Sequence, residues 1–189
     1  MKKIMYPLIM LFIISISAFA LAITNWKIKA DQYEVKFSGG RIHGVFEILK
    51  ANIQFDKADP EQSKISANID VNSIATGFFI KNDHAKDALD ADKYPTISFV
   101  STAVTKSGNA YQAAGKLTMK GVTKPINIHF TFDDKGNEGV FKGDFKVIPK
   151  DFNITRNGTP DELTIDLTVP VTKPDISFPL IIIPVKTGR

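Results

Sequence analysis

Strict two-residue alternation of apolar and polar side chains is the feature that most restricts this chain. Ile65, Ala67, Ile69 and Val71 interleave with Ser66, Asn68, Asp70 and Asn72. Ile126, Ile128, Phe130 and Phe132 alternate with Asn127, His129 and Thr131, and Leu163, Ile165, Leu167, Val169 and Val171 with Thr164, Asp166 and Thr168. Phe141, Gly143, Phe145 and Val147 follow the same rule, as do Tyr33, Val35 and Phe37. Successive side chains of a strand point to opposite faces, so each stretch predicts a strand with one buried and one wetted face. Residues 44–56 change phase between Phe46/Ile48 and Ala51/Ile53/Phe55, which predicts a bulge near Leu49. Residues 96–104 and 110–119 complete a set of about eight strands.

The connections are chemically explicit. Lys106-Ser107-Gly108-Asn109, Lys120-Gly121-Val122-Thr123 and Asp133-Asp134-Lys135-Gly136-Asn137 are short and polar, and predict sequential antiparallel hairpins. Asp59-Pro60-Glu61 marks a further turn. The stretch from Thr76 to Tyr94 is longer and predicts a short helix with Asn82 or Asp83 near its N-cap. A sheet that is apolar on one face must cover that face. Closure into a barrel does so without exposed edges, and a two-sheet sandwich is the alternative. Long strands joined by tight hairpins favour the barrel. Its inward face mixes Phe37, Phe99, Leu117, Phe130 and Phe145 with Ala67, Ala113, Gly115 and Gly143. Small residues inside leave volume for an apolar cavity, or they match large neighbours across a filled core.

Composition removes several function classes. The chain has no cysteine, which excludes disulfides, Cys-ligated metals and thiol nucleophiles. The formal charge of +4 is partly a property of the first residues. Lys2 and Lys3 precede an apolar run from Ile4 to Ile16, and Ala18-Phe19-Ala20 or Ala20-Leu21-Ala22 supplies a small-residue cleavage pattern. Residues 1–22 therefore predict a cleaved signal peptide and a periplasmic, secreted protein. An uncleaved anchor helix is the other reading, interrupted by Pro7, Ser15 and Ser17. Residues 23–175 form the predicted domain, and 176–189 an apolar tail with Pro179 and Pro184. No concentrated basic face marks a nucleic-acid partner.

Several blocks in order carry a family resemblance: Trp26-Lys27-Ile28, Gly44-Val45-Phe46, Asp59-Pro60-Glu61-Gln62-Ser63 and Ile69-Asp70-Val71-Asn72-Ser73-Ile74-Ala75-Thr76. Lys93-Tyr94-Pro95-Thr96-Ile97-Ser98-Phe99 and Gly115-Lys116-Leu117-Thr118-Met119-Lys120-Gly121-Val122-Thr123-Lys124-Pro125 complete the series. From Trp26 to about Val171 the chain resembles the YceI-like family of polyisoprenoid-binding proteins. The resemblance implies an all-β, eight-stranded antiparallel lipocalin-like barrel with a short helical insertion between strands three and four. It also implies a long isoprenoid lipid, of polyprenyl quinone or polyprenyl phosphate type, held in the lumen for transport, storage or stress response. The chain departs from the family pattern at His84-Ala85 and Ala88-Leu89-Asp90 in the insertion, and at Pro149-Lys150-Asp151-Phe152-Asn153 before the last strand.

On this reading the lumen is lined by Phe37, Phe46, Ile69, Phe99, Leu117, Phe130, Phe145 and Ile165. Phe78, with Phe79, borders the mouth, and a polar head group sits near Thr76, Lys81 or His84. No cofactor, metal or catalytic residue is expected. The expected partners are the isoprenoid lipid and, by transient contact, a membrane; a homodimer stays open. Two rivals differ in class. One is a filled barrel acting as a periplasmic protein-interaction or stress module. The other is a lipid-directed hydrolase or isomerase using His84 with Asp83 or Asp87. The second lacks its motif, since no GxSxG, HExxH, P-loop or GxGxxG run occurs. His43 and His129 lie far from His84 in sequence, and His129 falls on a polar phase. Asp83, His84 and Asp87 read as a solvated helix face rather than a surface metal site. Two glycosylation-like triplets, Asn153-Ile154-Thr155 and Asn157-Gly158-Thr159, are short enough to arise by chance.

Overall fold

The alternating stretches become eleven strand segments in a computed structural model that describes residues 23–174. They are β1 (Asn25–Ile28), β2 (Glu34–Gly39), β3 (Ile42–Phe46), β4 (Leu49–Gln54), β5 (Lys64–Asp70), β6 (Ile74–Ala75), β7 (Thr96–Ser107), β8 (Ala110–Met119), β9 (Val122–Asp134), β10 (Glu138–Val147) and β11 (Leu163–Thr172). One helix, α1 (Phe79–Leu89), interrupts them. The predicted signal segment and the 176–189 tail lie outside the described residues.

Every pairing is antiparallel, and the ring β1-β4-β5-β7-β8-β9-β10-β11 closes through β1 on β11. The eleven segments are eight staves, because β1 and β2 pair with successive parts of β11. Likewise β3 and β4 form one interrupted stave, and β5 and β6 another. The barrel is thus closed and eight-stranded, with α1 inserted between the third stave and the fourth. No edge remains around the closed ring.

The interruption at Glu47 and Ile48 is the predicted phase change. Side chains satisfy the backbone there: the Tyr33 hydroxyl donates to Glu47 O (2.9 Å) and accepts from Leu49 N–H (3.0 Å). Ser73 Oγ accepts from Ile48 N–H (3.0 Å). The β8–β9 hairpin turns on two residues only, Lys120 and Gly121, with φ of 49° and 75°. That left-handed pair matches the twist of the flanking strands.

The helix starts earlier than the capping pattern predicts. Its N-cap is Phe78, with no side-chain cap, and Asn82 lies inside it. The reason is that Asn82 Oδ1 reaches back to the end of β6, accepting from Thr76 N–H and Thr76 Oγ1, both at 2.7 Å. Gly77, at φ 80°, makes the sharp exit from β6. Asp90 in the left-handed region ends the helix (φ 54°), and Ala91 N–H bonds Lys86 O at 3.0 Å.

The aromatic residues divide the barrel along its axis. At the end carrying the β4–β5, β7–β8 and β9–β10 connections, Phe55 is 1% exposed and meets Tyr111, Phe130, Phe132 and Phe141 at ring-centroid distances of 5.0–5.7 Å. Trp26 stacks edge-on against Phe132 (5.0 Å) and donates its indole N–H to Phe55 O (3.1 Å). These edge-to-face rings pack that end solid.

Candidate functional site

Above the aromatic floor the registers stack small residues in rows. Ala51 pairs with Ala67, which pairs with Phe99, which pairs with Leu117. The next row is Leu49, Ile69 and Ile97. Two adjacent alanines cannot fill the space that paired large side chains would occupy. The result is a cavity of about 420 Å³ along the barrel axis. One buried water needs only roughly 10–15 Å³, so this is not a filled barrel.

Below the mouth the walls are apolar, and Phe37, Phe46, Ile69, Phe99, Leu117, Phe130, Phe145 and Ile165 all line the cavity. Ala67, Ala113 and Gly143 line it too. Gly115 does not; a Cβ there would meet the Phe99 ring at 2.5 Å, so that gap is filled by its cross-strand neighbour. A Cβ at Gly143 would likewise meet His129 O at 2.7 Å, so the small-residue argument holds at Ala67 and Ala113 and fails at the two glycines.

At the other end the cavity reaches the surface among three connections. Arg41, Ile42 and His43 come from the β2–β3 hairpin, Lys81 and His84 from α1, and Arg156 to Pro160 from the β10–β11 connection. The helix offers Lys81, His84, Ala85, Ala88 and Leu89 to the lumen, a spacing of three and four residues that places them on one face. It acts as a partial cover. Arg156 Nη1 ties the third connection to it, bonding His84 O (3.3 Å) and the Asp87 carboxylate (3.2 Å). Lys120 Nζ binds Ala88 O (2.8 Å) at the helix C-terminus and Asn153 O (3.1 Å). A cation there also suits the negative end of the helix dipole.

The charged lining residues are Arg41, Lys81 and Arg156, the last paired outward with Asp87, joined by His43 and His84; among the described residues no carboxylate lines the cavity. An apolar tube with a cationic rim fits an amphiphile with a long hydrocarbon chain and an anionic head. Guanidinium groups match phosphate oxygens in a fork that ammonium groups cannot.

Of the predicted head-group residues, Thr76, Lys81 and His84 all border the cavity. Thr76 is 7% exposed and its hydroxyl is committed to Asn82, which makes it part of the hinge of the helix. Phe78 does not line the lumen: it is 63% exposed, and Phe79 78%, because both precede the turn that faces inward. That corrects the expected aromatic lining of the mouth. Sequence reasoning missed Arg41, His43 and Arg156, which sit on irregular connections where no periodicity points inward. Ala51 was readable from its phase alone.

Asp87 faces Arg156 rather than His84, and among the described residues His84 side-chain atoms have no bond to Asp83 or Asp87. Nor, among them, do three or more His, Asp or Glu gather to hold a metal. His129 is exposed on the outer wall. The displaced titrations include a pair at the closed end: a hydrogen bond from Lys57 to Asp134 (2.7 Å), helped by Gly136 N–H (2.9 Å), holds that carboxyl below its usual range, and the same bond raises Lys57. No described helix is long and apolar enough to cross a membrane.

The YceI-like domain profile matches residues 26–172. A protein named UPF0312 protein from Pseudomonas savastanoi is 38% identical over 146 residues, covering 72% of each chain. Protein YceI of Salmonella arizonae is 30% identical over 138 residues, covering 69% of this chain and 72% of its own. Among solved structures, Burkholderia cenocepacia BcnA superposes with a TM-score of 0.74 at 27% identity, covering 77% of this chain and all (100%) of its own. A polyisoprenoid binding domain from Saccharophagus degradans shares the fold, with a TM-score of 0.60 at 13% identity and coverage of 80% and 99%. Profile, relatives and barrel agree, and the chain belongs to the YceI-like family.

Proposed function

We propose that this protein is a non-enzymatic carrier that holds one long isoprenoid lipid, chain inward and anionic head at the rim. The observation that carries this reading is the apolar cavity of about 420 Å³ bordered by Arg41, Lys81 and Arg156 and, among the described residues, by no carboxylate. Burial of hydrocarbon supplies the drive, at roughly 25 cal/mol per Å² before ordering costs. The family relationship and a fold neighbour described as a polyisoprenoid binding domain support the ligand class. Arg41 and Lys81, unpaired among the described residues, favour a polyprenyl phosphate over a polyprenyl quinone, whose neutral carbonyls gain less from a cation than phosphate oxygens do. The Lys2-Lys3 start and apolar run to Ile16 support export to the periplasm, with cleavage after Ala20 or Ala22.

Lipid extraction and mass spectrometry of protein recovered from the periplasm of its native host test the reading. An isoprenoid in about equimolar amount is expected, and the mature N-terminus should begin near residue 21 or 23. Protein that carries none, and takes up none on incubation with a polyprenyl phosphate in detergent, refutes it. Arg41→Gln combined with Lys81→Gln should weaken a polyprenyl phosphate at least tenfold while leaving a polyprenyl quinone within about twofold, since a charge-assisted hydrogen bond contributes roughly 1.5–3 kcal/mol.

A further inference from the structure

Large apolar side chains are exposed in one consecutive run at the mouth. Phe78, Phe79 and Ile80 are 63%, 78% and 67% exposed, and Ile42, on the neighbouring hairpin, is 37% exposed. Among the described residues the other exposed large apolar side chains (Ile48, Val100, Ile148) are single. Isolated apolar residues on a surface are ordinary, whereas a contiguous patch marks contact with something. The three residues begin where Gly77 turns the chain away from β6, and Phe78 does not line the lumen. They therefore point away from the binding cavity and are not explained by it.

We propose that this end of the barrel docks on an anionic lipid bilayer, Phe78, Phe79 and Ile80 entering the boundary between head groups and acyl chains. This rests on the carrier reading, because a water-insoluble ligand gives the mouth a reason to meet a membrane. Three observations select the occupant. Lys81 directly follows the apolar run and Arg41 borders the same mouth, neither holding a carboxylate partner among the described residues, and a basic rim around an apolar tip complements anionic head groups. Lys81 Nζ lies 4.7 Å over the Phe78 ring, so a cation is held directly against the apolar run, where anionic head groups would meet it as the rings enter the bilayer. Size is the third. With roughly 150–250 Å² per buried aromatic, the exposed fractions give a patch of about 400 Å². A stable protein dimer buries roughly 800 Å² on each partner, about twice this. The side chains of one helical turn also match the roughly 5–10 Å to which interfacial segments sink.

The test uses protein recovered from cells expressing the full chain, floated with vesicles of phosphatidylethanolamine and phosphatidylglycerol (3:1) or of phosphatidylcholine alone. The parent should float with the anionic vesicles and release at high salt. The triple variant Phe78→Ser, Phe79→Ser, Ile80→Ser should partition at least tenfold less, with unchanged circular dichroism and thermal midpoint. A separate Phe79→Trp variant should shift its emission to the blue and be quenched by brominated acyl chains, Trp26 remaining as a buried background. The triple variant should still take polyprenyl phosphate from detergent, yet load it from vesicles at least tenfold more slowly. Equal flotation of parent and triple variant, or no flotation of either, overturns the proposal. So does a dimer in light scattering that the triple variant abolishes, which would assign the patch to a second copy. If neither protein loads lipid from detergent, the carrier reading fails while flotation still decides docking.

Discussion

Replacing Ala67 with phenylalanine should raise stability and lower affinity together. Ala67 sits mid-barrel, between Ala51 on one side and Phe99 on the other, with its methyl group facing the lumen. The new ring would lie over Ala51 and occupy space equal to about one five-carbon isoprene unit. Displacing that much hydrocarbon costs the ligand up to ~4 kcal/mol at roughly 0.8 kcal/mol per buried CH₂. The ceiling is about a thousandfold in Kd, at roughly 1.4 kcal/mol per decade. Partial repacking of the chain against the ring brings the expected loss to about thirtyfold. The empty protein should gain about 1 kcal/mol, since filling an apolar cavity recovers lost contacts. Titration with a fluorescent polyprenyl phosphate measures the first effect and urea unfolding of delipidated protein the second. A variant that folds, becomes more stable and binds within threefold of the parent would show that the lumen is not where the lipid sits.

Phe55→Ala should cost about 3–5 kcal/mol in urea unfolding, because the ring is the hub of the aromatic floor, yet leave the Kd of the folded protein within about threefold. Lys120→Met removes bonds to two carbonyls, one at the end of the helix. It should cost about 1 kcal/mol and speed hydrogen exchange in residues 79–89 more than in the barrel strands. For the Lys57–Asp134 pair, the lowered carboxyl adds stability above its unfolded pKa that is lost as pH falls through the folded value. The raised ammonium adds stability below its unfolded pKa that is lost as pH rises through the folded value. Asp134→Asn should therefore be less stable than the parent by a constant amount between about pH 5 and 9, with the gap closing in acid. A gap that varies across neutral pH would contradict this assignment.

Much of the barrel was legible because its evidence is local. A strand's pleat enforces a period of two, so Ile65–Val71 or Leu163–Val171 shows its buried face without reference to any partner. The helix was legible in place but not in boundary. Asn82 reads as a cap from its type, whereas the folded chain spends its carbonyl on Thr76. Phe78 was misplaced for a related reason: its position depends on how Gly77 turns, and aromatic character alone does not say which way a ring faces.

Alternation, tight hairpins and the absence of cysteine determined by themselves that this chain builds antiparallel sheet with one apolar face to cover, held by packing rather than disulfides. Those are consequences of backbone geometry and composition. Tertiary structure alone decided which end of the barrel is packed and which is open. It separated Phe55 and Phe132 in the floor from Phe99 and Phe145 in the wall, though all four read alike along the chain. It filled the space at Gly115 and left it at Ala51 and Ala67. It also drew Arg41, Lys81 and Arg156 to one rim from three distant connections. Closure brings such loops together only after the staves have fixed their stagger, and no local period in a sequence encodes that.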